Sequence, residues 1–155
     1  IAAEEGKLRR NFMGYTTTQS RFIIGLGASA ISANRNAFAQ NEKVVEAYED
    51  KINSGVLPIV NGHLLNEEDL FIQNYVHDLV CLNKTTLQDG IHHNDFLTSI
   101  SSRLSSLEAD GLVVIEGNII TVTANGRLFI RNICAAFDAY LFKKDMAVQT
   151  FSKAI

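Results

Sequence analysis

LVVIEGNIITVT, residues 112–123, is the stretch on which the fold turns. Two β-branched runs flank Gly117-Asn118, and a Gly-Asn pair between such runs predicts a β-hairpin. Just upstream, Asn94 can cap a helix over residues 94–110, with Phe96, Ile100, Leu104 and Leu107 on one stripe. Asp110-Gly111 ends it, with glycine where a left-handed C-terminal cap is wanted. Downstream, Thr123 opens a last helix, with Ile130, Ile133, Phe137 and Tyr140 or Leu141 on its buried side. The tail KKDMAVQTFSKAI is expected to add a helical turn or two.

Further upstream, Asn66 starts a helix whose first turn carries Glu67, Glu68 and Asp69 against the positive dipole end. Its apolar face is Ile72, Tyr75, Val76, Leu79 and Val80. A short turn of helix is expected around Leu87, closed by Gly90. Helix, short helix, longer helix, hairpin, helix is the order of a winged helix. Before it, Asn41 caps a helix with Val44, Val45, Tyr48 and Ile52 on one side, stopped by Gly55. VLPIVNGHLLN follows as an irregular or hairpin-like connection with Asn61-Gly62 as its turn.

Residues 1–40 have a different character. RRNFMGYTTT is extended, and FIIGLG is a short apolar run feeding a loop of small residues, the pattern of a buried parallel strand. One or two strands cannot make a stable parallel sheet, so the partners are missing. With Ile1 in place of methionine, this gives the expectation of a piece cut from a longer cytosolic protein. The fold class is therefore α+β, mainly helical. Residues 1–40 are the remnant of one domain, and residues 41–155 form a winged-helix-like domain. If so, residues 1–33 should expose an apolar face.

Bulk properties narrow the function. The chain has 155 residues, 46% hydrophobic and 20% charged, with net charge −3, which is ordinary globular composition. No run of about 18 apolar residues is present, so no membrane association is expected. Cys81 and Cys134 each lie in an apolar run and read as buried free thiols of a reduced compartment. His63, His77, His92 and His93 have no ligand spacing. The GLGAS motif lacks the third glycine of a dinucleotide fingerprint and the Lys-Ser/Thr of a P-loop. Its glycines are better suited to close approach of the backbone to something flat or bulky.

A winged helix invites a nucleic-acid reading with helix 94–110 in the major groove. The outward side of that helix carries Asp95, Ser99, Ser102, Ser105 and Glu108, with Arg103 its only base, and the wing tip is Glu116-Gly117-Asn118. Phosphate contacts need the opposite charge. Arg127 and Arg131 share a helix face, either solvated or as an interdomain clamp with Asp138 as a carboxylate partner. Arg9 and Arg10 are equally open.

Two groups of motifs carry a resemblance. RNFMGYTT, GLGASAISAN and AFAQN form the first, and DGLV, ITVTANGRLFIRNICAAFDAYL and FSKAI the second. In this order they resemble the C-terminal third of oxygen-independent coproporphyrinogen III oxidases, radical S-adenosylmethionine enzymes of haem biosynthesis. The resemblance spans nearly the whole chain and is loosest over residues 52–106. It implies a parent enzyme that decarboxylates two propionates of coproporphyrinogen III to vinyl groups, giving protoporphyrinogen IX. It implies S-adenosylmethionine and a 4Fe–4S cluster as cofactors, no nucleic acid, a monomeric parent and a cytoplasmic location. The CxxxCxxC cluster motif is absent, so no catalytic or metal-ligating residue is assigned here and the piece alone should be inactive.

By the same resemblance, Arg10, Asn11 and Phe12 lie beside the S-adenosylmethionine pocket. Met13 stands where the family often has glutamine. Ile31 becomes an apolar contact to the cofactor, flanked by Gly25, Gly27, Ala28 and Ser29, although Ile31 as plain core stays open. The cofactor-binding candidates are thus Phe12, Met13 and Ile31. The winged-helix-like part would pack beside the barrel mouth and cover the porphyrinogen. Two alternatives remain: a stand-alone winged-helix DNA-binding regulator, and a haem-binding relative of the oxidase.

Overall fold

The computed structural model describes residue 2, residues 5–88 and residues 94–138, the side chains of residues 94–97 and 99 excepted. Gly90, His92, His93, Tyr140, Leu141 and the C-terminal tail lie outside the described residues, as does the side chain of Phe96. The fold is α+β, with three antiparallel sheets among the described residues. The chain divides into two compact units, Arg9–Phe71 and Ile72–Ile155 with Ile1–Leu8.

The second unit holds the apolar core. It begins inside α2 (Glu67–Leu82), the helix that Asn66 opens. Asn66 Oδ1 accepts the Asp69 amide at 2.9 Å, and Asp69 Oδ2 accepts the Asn66 amide at 3.0 Å. This reciprocal pair satisfies two donors at the helix start. Asn83, at φ 57, closes α2 and turns the chain directly into β7 (Lys84–Thr86).

That strand is a correction. The segment after α2 reads as a short helix around Leu87, but Leu87 and Gln88 are not helical. The β-branched Thr85 and Thr86 pair with Ile120 and Ile119 instead, which gives the hairpin a third strand. Leu87 and Asn118 then exchange hydrogen bonds, Leu87 N to Asn118 O at 2.8 Å and Asn118 Nδ2 to Leu87 O at 3.0 Å.

Helix α3 (Asn94–Ala109) buries Ile100 and Leu104, as its stripe predicts. It ends in a Schellman cap: Leu112 N donates to Leu107 O, Gly111 N to Glu108 O, and Gly111 takes φ 69. The hairpin β8 (Val113–Glu116) and β9 (Ile119–Val122) turns at Gly117-Asn118 with glycine alone at positive φ, as a II′ turn requires. Sheet order is β7-β9-β8. Thr123 Oγ1 accepts the Gly126 amide at 3.0 Å and opens a 3-10 turn (Gly126–Phe129) that runs into α4 (Ile130–Ala135). Ile133 and Phe137 close the core against residues such as Tyr75, Leu79, Val113 and Ile120, all buried.

Thr85 sits in this core with its hydroxyl buried and no hydrogen-bond partner among the described residues. An unpaired buried hydroxyl carries its full desolvation penalty. Thr85→Val keeps the shape and the β-branch, so it should stabilise the chain by about 1 kcal/mol, read as a higher urea midpoint.

The Arg9–Phe71 unit is built differently. A hairpin of β1 (Arg9–Asn11) and β2 (Gly14–Thr16) precedes a four-stranded sheet ordered β3-β4-β5-β6. Its strands are β3 (Phe22–Ile23), β4 (Ile31–Asn34), β5 (Ala37–Asn41) and β6 (Ile59–Leu64). Two expectations fail here. FIIGLG is not a buried parallel strand: β3 is short, antiparallel to β4, and Phe22 is exposed. Asn61-Gly62 is not a turn: both residues lie within β6, opposite Gln40 and Ala39, because β5 offers an unpaired edge that outweighs local turn preference. The sheet thereby crosses residue 40 and continues to β6. Helix α1 (Val45–Asn53) stops at Gly55, φ 71, as expected.

No large apolar side chain is fully buried among the described residues of this unit. Phe12, Met13, Tyr15, Phe22, Ile24 and Leu26 are all exposed, which is the apolar surface expected on residues 1–33.

Candidate functional site

The three candidate contacts sit on the hairpin tip and on the sheet. Asn11 Oδ1 accepts the Met13 amide at 2.8 Å, an Asx turn that puts Phe12 and Met13 at the tip. Gly14 follows at φ 129, where a side chain would be strained. Arg10 lies over the Tyr15 ring at 5.5 Å, its cross-strand neighbour, so this arginine is occupied by a cation–π contact.

Phe12 meets Phe38 edge-on, with ring centroids 5.3 Å apart and planes at 88°. Phe38 pairs with Ala33, and Ile31 with Gln40. Strand alternation places Ile31, Ala33, Phe38 and Gln40 on one sheet face. The structure therefore brings Phe12 to the face that carries Ile31. Ile31 is half-buried, whereas Met13 is 90% exposed.

The loop between β3 and β4, residues 24–30, is held from three sides. Gly25 N donates to Ser32 Oγ at 3.0 Å, and Gly27 N donates to the Tyr48 hydroxyl at 3.1 Å. Asn41 Nδ2 donates to both Gly25 O at 3.1 Å and Gly27 O at 3.0 Å. Backbone bonds from Ser29 N to Glu42 O (2.7 Å) and Asn41 N to Ala30 O (3.0 Å) complete it. Gly25 packs on the backbone of Ile31, where an added Cβ would fall 2.7 Å from the Ile31 carbonyl oxygen. Gly27 takes φ 98 and Ser29 φ 62, the latter rare for a residue with a side chain. The loop's polar groups thus turn inward, while Ile24 and Leu26 stay exposed, Leu26 at 84%.

Asn41 does not cap a helix. Val44 stands at the α1 N-cap with no side-chain bond, and Asn41 is the buried last residue of β5. Its amide has better partners in the glycine carbonyls. Asn41, Tyr48, Ser32 and Phe38 are the contributors that sequence reasoning misses. Only the glycines hinted that a close approach was needed.

The Arg103 guanidinium is pushed below its usual value by burial, and the nearby Asp138 carboxylate works against that shift. Asp138, expected opposite Arg127 and Arg131, thus lies in the field of Arg103. Arg127 and Arg131 are exposed. Cys81 is buried, 3.7 Å from His77 Nε2, whereas Cys134 is half-buried rather than buried as its apolar run predicts. His63 Nε2 lies 3.2 Å from the buried Asp69 carboxylate. No group of three His, Cys, Asp or Glu side chains suited to a metal occurs among the described residues. No helix among them is long and apolar enough to cross a membrane.

No family model matches the chain. Curated relatives do. The oxygen-independent coproporphyrinogen III oxidase of Synechocystis sp. is 37% identical over 100% of this chain, and that of Salmonella typhimurium 38%. The chain spans 35% of the length of each. Among solved structures, coproporphyrinogen III oxidase of Escherichia coli, described as a radical SAM enzyme, superposes with a TM-score of 0.80 at 35% identity. The match covers 90% of this chain and 33% of that one. In sequence and in fold, then, the chain is similar to a region about a third the length of these oxygen-independent coproporphyrinogen III oxidases.

Proposed function

We propose that this chain is the C-terminal region of an oxygen-independent coproporphyrinogen III oxidase and forms one wall of its S-adenosylmethionine pocket. The parent reaction turns two propionates of coproporphyrinogen III into vinyl groups with loss of carbon dioxide. S-adenosylmethionine and a 4Fe–4S cluster supply the radical that starts it. The observation that carries the proposal is the whole-chain correspondence, 37% identical over 100% of the chain.

The residues here do not fit the cluster. Two cysteines are too few for three thiolate ligands, and Cys81 is buried. They do fit the flat, apolar side of S-adenosylmethionine. The loop at 24–30 has its polar groups satisfied internally, and Phe12 and Ile31 flank one sheet face. Phe12 and Ile31 bind by apolar contact in this reading. Met13, exposed at the hairpin tip, covers the rim.

Residues 1–40 close the catalytic barrel, their exposed apolar side chains meeting the rest of the enzyme. The later residues extend that sheet and then form a winged-helix-like domain, a reading supported by the order of β7, α3 and the β8–β9 hairpin. That domain covers the porphyrinogen and reads no nucleic acid. The parent works as a cytoplasmic monomer.

A chimera tests this. The corresponding third of the Escherichia coli enzyme is replaced by this chain, the cluster is reconstituted, and coproporphyrinogen III is supplied anaerobically with a reductant. Protoporphyrinogen IX should form, detected as protoporphyrin fluorescence after oxidation. A folded, cluster-loaded chimera that makes none would sink the proposal, and tetrapyrrole binding without turnover would favour the haem-binding relative instead.

A further inference from the structure

The Gly25–Ile31 loop is rigidified by side chains that themselves make no part of its surface. Asn41 is the centre of that arrangement. It is 6% exposed, and its one amide group bridges two carbonyls two residues apart, Gly25 O and Gly27 O. Two carbonyls converging on one point repel each other unless a donor sits between them. The neighbouring Gly27 and Ser29 hold left-handed dihedrals, φ 98 and 62, which persist only when surroundings enforce them. Tyr48, from α1, takes the Gly27 amide at 3.1 Å as an independent second pin. Ser32, next to Ile31 on β4, takes the Gly25 amide at 3.0 Å.

We propose that Asn41 is a positioning residue: through Gly25 and Gly27 it fixes the loop that sets Ile31 against S-adenosylmethionine, with Tyr48 as its auxiliary. This rests on the pocket-wall reading above. Asn41 touches no cofactor in this scheme. It removes the entropy cost of ordering the loop on binding, so its loss should weaken cofactor affinity and leave porphyrinogen affinity alone.

The test uses the full-length enzyme that contains this chain, with its cluster reconstituted. Asn41→Asp is nearly isosteric but replaces the two N–H donors by a carboxylate facing two carbonyl oxygens. Tyr48→Phe keeps the ring and removes only the hydroxyl, so it preserves folding if Asn41→Asp does not. Equilibrium dialysis with S-adenosylmethionine should show affinity weakened by roughly tenfold for Asn41→Asp and about twofold to threefold for Tyr48→Phe. The KM for coproporphyrinogen III should stay at the wild-type value. In the cofactor-free protein, amide exchange at Gly27 should accelerate in both variants.

A folded Asn41→Asp enzyme with wild-type cofactor affinity overturns the positioning role while leaving the pocket-wall reading intact. So does a parallel loss of affinity for both substrates together with a lowered Tm, the mark of a merely structural residue. If the wild-type enzyme itself binds no S-adenosylmethionine, the pocket-wall reading falls, and the role of Asn41 falls with it.

Discussion

Phe137→Ala should lower the stability of the chain by about 4 kcal/mol, the cost of emptying a fully buried aromatic site. Phe137 is 0% exposed, and its ring lies 6.2 Å from that of Tyr75. Tyr75 is anchored in turn, its hydroxyl accepting the Gln88 amide at 3.1 Å. With both ends of the neighbourhood fixed, the cavity cannot collapse cheaply. A urea titration followed by circular dichroism reads the effect as a lower midpoint at unchanged slope. Phe137→Leu, which refills most of the volume, should cost about 1.5 kcal/mol. Equal midpoints for the wild type and Phe137→Ala would mean that this residue does not close the core.

Gly126→Ala should cost about 3 kcal/mol for a different reason, overpacking against backbone. A Cβ at Gly126 would fall on the Leu112 carbonyl oxygen and within 3.1 Å of Val122 Cγ1. Neither the end of β9 nor the α3 cap can yield easily, because Thr123 N donates to that same Leu112 oxygen at 3.0 Å. Gly111→Ala is the control. Gly111 has open space around it and only a φ of 69 to enforce, so about 1 kcal/mol is expected there. Thermal unfolding of the two variants side by side distinguishes steric exclusion from backbone preference. Equal losses would mean that the backbone around Gly126 yields to the added Cβ.

What was legible in the sequence was what short-range chemistry decides. The Gly117-Asn118 turn, the Gly111 and Gly55 stops and the Asn66 cap each depend on a few neighbouring residues, and all of them form. What was not legible depends on distant partners. Lys84–Thr86 is a strand because β9 is available, and Asn61-Gly62 is extended because β5 is. Asn41 looked like a helix cap because its true acceptors lie 14 and 16 residues upstream. For the candidate site, motif resemblance pointed to Phe12, Met13 and Ile31, and Phe12 meets Phe38 on the sheet face that carries Ile31. The hydrogen bonds that shape the loop had no sequence pattern to announce them.

The uneven distribution of core has a practical consequence for anyone screening variants of this protein. All the fully buried large side chains among the described residues belong to the Ile72–Ile155 unit. A melting curve therefore reports chiefly on that half. Substitutions across the four-stranded sheet, where Phe22 and Leu64 are exposed, can leave the curve unmoved and still alter the surface. For this part of the molecule, thermal tolerance is no measure of harmlessness, and variants should be ranked by binding assays instead.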